Sequence, residues 1–137
     1  MEKLTKKDKE VLAIIASGTK WKTMFQWHSD HKQDIHIVQL KDRKKYAYYD
    51  SANNKFISNY LFDNANEFGL CDHKNMAIVQ CDGKYNVLFK NGKFMFKDWK
   101  ERLEYPVGWP GNHIVLFENG NMYMVDERGD IVRELCK

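Results

Sequence analysis

The stretch from Ile78 to Phe96, I-V-Q-C-D-G-K-Y-N-V-L-F-K-N-G-K-F-M-F, constrains the fold more than any other. Three apolar, β-prone runs are separated by Asp82-Gly83 and Asn91-Gly92. Both dipeptides suit a type I′ turn, in which both central residues need positive φ, so the stretch predicts consecutive β-hairpins. Looser versions of the same pattern precede and follow it.

Three anchors mark those versions. An Ile-Val pair stands at Ile37-Val38, Ile78-Val79 and Ile114-Val115, with spacings of 41 and 36 residues. Behind each pair comes a second run: Lys45–Asp50, Lys84–Phe89 and Asn121–Asp126. Gly83 and Gly92 are nine residues apart, as are Gly120 and Gly129. The first copy has Lys44 and, after one inserted residue, Asn54 in these places; Lys fits the left-handed region poorly, so a looser first turn is expected. Aromatic pairs six residues apart complete the unit: Trp21 and Trp27, Phe62 and Phe68, Trp99 and Tyr105. Such units cannot bury an apolar face alone and must stack. The expected fold is mainly β, an array of stacked antiparallel hairpins from internal repeats of about 36–41 residues, in a single domain over residues 1–137.

One α-helix is predicted over Thr5–Ser17, capping the array, so that residues 1–18 form the cap and 21–137 the repeats. Thr5 and Asp8 have capping-box spacing, with Asp in place of the longer Glu. Val11, Leu12, Ile14 and Ile15 make one apolar stripe, and Gly18 marks the stop. Trp21–Trp27 fits both helical and strand spacing. Comparison of the copies favours a short helical turn there, with similar turns between hairpins. Pro106 and Pro110 bracket Val107-Gly108-Trp109 as a loop.

Four stretches stand out in these copies: Gly83-Lys84-Tyr85, Asn91-Gly92-Lys93-Phe94, Val125-Asp126 ahead of Arg128-Gly129, and above all Phe62-Asp63-Asn64-Ala65-Asn66-Glu67-Phe68. On them the unit resembles the WG-repeat family of bacterial β-rich repeats. The resemblance spans roughly Trp21 to Leu135. The Trp-Gly dipeptide is replaced by Tyr46-Ala47, Tyr85-Asn86 and Met122-Tyr123. What the resemblance implies is a β-repeat architecture and protein or ligand binding; it carries no catalytic residues.

Residue chemistry agrees with binding. The formal net charge is only +3, but residues 1–45 carry eleven Lys/Arg against six Asp/Glu, which places any electrostatic preference at the N-terminal end. Lys41, Arg43, Lys44 and Lys45 stand beside Tyr46 and Tyr48, a combination able to hold phosphates and stack bases. This supports an alternative reading as a nucleic-acid-binding protein. His28, His31 and His36, interleaved with Asp30 and Asp34, are the metal candidates, and a small metal-dependent hydrolase is the third reading. They lack an HExxH pattern, and the overlaid Asp72-His73-Lys74 reads as a polar turn, so no metal or other cofactor is expected. No Gly-rich phosphate loop is present, because turn geometry accounts for the hairpin glycines.

Three cysteines without CxxC spacing point to a reducing, cytoplasmic setting. No apolar run has membrane-spanning length. The leading expectation is therefore a non-enzymatic module that binds a protein partner through Trp21, Trp27, Tyr46, Tyr48 and Trp109. Its small size suits a phage or bacterial accessory protein that blocks a host complex.

Overall fold

A computed structural model describes residues 2–10, 35–40, 44–50, 53, 55–69, 73–109 and 111–136. The expected helix beyond Glu10, the Trp21–Trp27 segment and Lys41–Arg43 lie outside the described residues. The described chain is mainly β, with ten strands in three antiparallel sheets. It divides into two compact units, residues 1–67 and 68–137.

In the first unit, residues 6–10 are helical. The Thr5 N–H donates to Asp8 Oδ2 at 3.0 Å, and the Asp8 N–H donates to Thr5 Oγ1 at 3.0 Å. Asp therefore closes a reciprocal capping box as Glu would, satisfying two donors at the helix start. Residues before the cap are tied down by pairing: Leu4 N–H donates to the Asn59 carbonyl at 2.6 Å, and Leu61 N–H to that of Glu2 at 2.9 Å.

Strands β1 (Ile35–Leu40), β2 (Lys45–Asp50) and β3 (Lys55–Phe56) form one sheet, and β4 (Asn64–Ala65) follows. Val38 faces Ala47 and Ile37 faces Tyr48. Leu4, Val38, Leu40, Ala47 and Leu61 make the core. Each larger apolar side chain buried there stabilises the unit by about 2 kcal/mol. Lys44 does enter the left-handed region, at φ 51°.

The second unit contains β5 (Met76–Cys81), β6 (Lys84–Phe89), β7 (Arg102–Glu104), β8 (Ile114–Glu118), β9 (Asn121–Val125) and β10 (Ile131–Cys136). Asp82 and Gly83 have φ of 52° and 77°, and Asn119 and Gly120 have φ of 55° and 79°. Both are two-residue I′ hairpin turns, as expected for Asp82-Gly83. Asn91-Gly92 differs from its expected I′ form, because only Gly92 is left-handed, at φ 86°. Gly92 N–H donates to the Phe89 carbonyl and Phe89 N–H to that of Lys93, both at 2.9 Å. This is a three-residue loop closed by a glycine bulge. The loop ending at Gly129 is built alike: Gly129 N–H donates to Asp126 and Asp126 N–H to Asp130, both at 3.0 Å. The glycine spacing thus records a two-residue turn alternating with a three-residue loop.

Met76, Ile78, Val87, Leu103, Ile114, Leu116 and Val125 form the core of this unit. The Ile-Val anchors do not all sit alike. Val38 and Val79 are two residues from the last pair of their hairpins, Leu40–Lys45 and Cys81–Lys84. Val115 is three residues from Glu118–Asn121. The third pair is thus offset by one residue from its turn, yet Ile78 and Ile114 both enter the core of this unit, whereas in the first unit Val38 does.

Behind the first two hairpins the backbone bonding repeats. Tyr46 and Phe62 exchange two hydrogen bonds of 2.9 Å, and Tyr85 and Lys100 exchange two of 2.8 Å. The Tyr48 carbonyl accepts from Ile57 N–H at 3.0 Å, and the Val87 carbonyl from Met95 N–H at 2.9 Å.

Candidate functional site

The most exposed large apolar side chain among the described residues is Val107, at 96%. It stands in the loop joining β7 to β8, inside the second unit. Two features hold the base of that loop. The Ile78 N–H donates to Tyr105 Oη at 2.9 Å, fixing the entry. His73, wholly buried, donates from Nε2 to the His113 carbonyl at 2.6 Å, fixing the exit. The His73 and Tyr105 rings meet edge to face at 4.8 Å, so entry and exit share one clamp.

Within the loop, Trp109 lies tilted over the His113 ring at 5.4 Å. Its ring is half-buried and backs the loop, leaving Val107 to project. Asn112 Oδ1 and His113 Nδ1 are both buried and have no hydrogen-bond partner among the described residues. A buried polar atom without a hydrogen bond costs about 1–3 kcal/mol, so both atoms are a local cost to the fold of this loop. The loop combines a projecting apolar residue with a half-buried Trp109–His113 ring pair. No nucleophile–base pair stands among its described residues.

The other sequence candidates are distributed differently. Trp21, Trp27, His28, His31, Lys41 and Arg43 lie outside the described residues. Lys44 is exposed at the first hairpin turn. Lys45 forms an ion pair with Asp63, which offsets its charge. Tyr46 is half-buried, with its backbone paired to Phe62. Tyr48 is fully buried, its Oη donating to the Asn66 carbonyl at 2.6 Å and its ring edge-on to Phe62 at 5.9 Å. It is therefore a core residue and offers no ring to a partner; the 62–66 segment covers the face that strand alternation leaves open. His36 sits on β1 opposite Tyr49. Among the described residues no three His, Cys, Asp or Glu side chains gather as a metal site.

Val107, Asn112 and His113 carried no periodic signal in the sequence; the flanking prolines marked only a loop. β10 also exposes Ile131 and Val132, at 56% and 49%. Two register shifts interrupt its pairing with β9, and bulges of this kind discourage edge-to-edge association. At the other end of the Gly129 loop, burial raises the Asp126 pKa, but the N–H groups of Arg128 and Asp130 and the Arg128 guanidinium outweigh it and hold the carboxyl below its ordinary value.

No helix among the described residues is long and apolar enough to cross a membrane. No family model, curated protein or solved structure matches the chain.

Proposed function

We propose that the protein is a non-enzymatic protein-binding module, assembled from copies of one hairpin unit, that docks through the loop at residues 105–113. The observation that carries this reading is Val107, 96% exposed above a clamped loop base. Holding an apolar side chain in water forgoes about 1.5 kcal/mol that burial on a partner would recover.

The repeat reading is supported by the backbone bonding shared by Tyr46–Phe62 and Tyr85–Lys100, and by Ile57–Tyr48 and Met95–Val87. It accords with the WG-repeat-like pattern, with the helix that starts at Thr5 read as the cap. Occluding a partner's surface needs no chemistry of its own, which suits a small phage or bacterial accessory inhibitor acting in the cytoplasm.

The test is capture from bacterial extract on immobilised full chain, comparing wild type with Val107→Asp. A protein retained saturably by wild type and lost from the variant, at unchanged melting temperature, is expected. Identical capture by both would remove the loop from the interface.

A further inference from the structure

The segment from Lys90 to Arg102 runs back along β6. Met95 N–H bonds to the Val87 carbonyl, Asn86 grips Phe96, and Lys100 pairs with Tyr85. In the first unit the equivalent pairing sets Phe62 opposite Tyr46, and Phe62 is wholly buried. In the second unit Lys100 occupies that place, so Trp99 takes the position of Leu61, a core residue of the first unit. Met95 and Phe96 pack against the core, whereas Trp99 lies half-buried against Phe94, ring centroids 5.3 Å apart and planes tilted by 56°. An aromatic pair thus sits where the first unit has core.

The same segment is basic. Between residues 84 and 100 stand Lys84, Lys90, Lys93, Lys97 and Lys100, against a single acid, Asp98. Lys84, Lys90, Lys93 and Lys97 are exposed, and none has a carboxylate partner among the described residues. Lys100 pairs with Glu118 at 3.2 Å and lies 5.0 Å from the Phe96 ring centre, which anchors the strip to the fold. Lys45 in the first hairpin is by contrast tied to Asp63.

We propose that this strip binds single-stranded nucleic acid, with the exposed lysines on phosphates and a base stacked on the Phe94–Trp99 pair. Stacking needs a base free of its duplex partner, which selects the single strand. Lys84 opens β6 and Lys90 directly follows it, and a six-residue strand extends about 20 Å, a span of several phosphates.

The test uses the full chain and a fluorescein-labelled oligothymidylate of about 16 nucleotides, with anisotropy read over a salt series. Affinity should fall as salt rises. Lys93→Glu with Lys97→Glu should reduce the steepness of log K against log salt by about 1.4, at about 0.7 for each lost single-strand contact. Trp99→Leu should weaken binding about tenfold while leaving that slope unchanged. Because Trp99→Leu can disturb packing, Trp99→Phe, which restores a stacking face, should recover most of the affinity. Absence of binding at about 50 mM salt would overturn the proposal. So would equal binding by the lysine variant at wild-type melting temperature. A duplex or inorganic polyphosphate bound as tightly as the oligonucleotide would overturn it too, since neither offers a free base.

Discussion

The Asn86 side chain encloses the backbone of Phe96: Nδ2 donates to its carbonyl at 2.9 Å, and Oδ1 accepts its N–H at 3.1 Å. Oδ1 also accepts the Val87 N–H at 2.8 Å. A buried side chain thereby stands in for a strand neighbour and holds the returning segment on β6. Asn86→Leu strips partners from these groups and is expected to cost about 3 kcal/mol in denaturant unfolding. A loss under about 0.5 kcal/mol would show that the segment is held without it.

The two glycine loops separate strain from crowding. Gly120, at φ +79°, has nothing within 4 Å of an added Cβ. Gly120→Ala should therefore cost only the left-handed penalty, about 1–2 kcal/mol. At Gly129, φ +85°, the Cβ would meet Met95 Cγ at 3.1 Å and Phe96 Cε1 at 3.2 Å. Gly129→Ala should cost about 1 kcal/mol more than Gly120→Ala. Equal losses would mean that Met95 and Phe96 yield freely.

Asp126 gives the Gly129 loop a pH dependence. Its carboxylate accepts from the Arg128 N–H at 2.9 Å and the Asp130 N–H at 3.1 Å. The folded pKa lies below the ordinary value of 3.8, so the folded chain binds its proton more weakly than the unfolded chain. The resulting stability is present above the unfolded pKa and is lost as pH falls through the folded one. Asp126→Asn removes this contribution. Wild type and variant should differ by a constant amount above about pH 5 and converge on acidification. A gap that widens as pH falls would reverse the assignment.

How much of this was legible follows from what each signal depends on. Asp82-Gly83 was readable because its turn chemistry is local. Asn91-Gly92 was misleading because Asn-Gly fits a two-residue turn and the end of a three-residue loop equally well; the partner strand decides. The slip of the third Ile-Val pair was present in the spacings, since Ile78 to Ile114 is 36 residues while Gly83 to Gly120 is 37. Tyr48 looked available because alternation describes one sheet face, and the chain that covers the other arrives later, at residues 62–66. Val107 could not be found by pattern, because exposure at a loop tip has no period.

Whether the protein meets its partner through this loop is decided by site-specific photo-crosslinking. A benzoylphenylalanine at position 107 is compared with one at Glu127, in the exposed loop between β9 and β10. One discrete crosslinked species is expected from position 107 in bacterial extract, competed away by unlabelled wild-type protein and absent from position 127. Crosslinking of equal yield from both positions, or from position 127 alone, would contradict it.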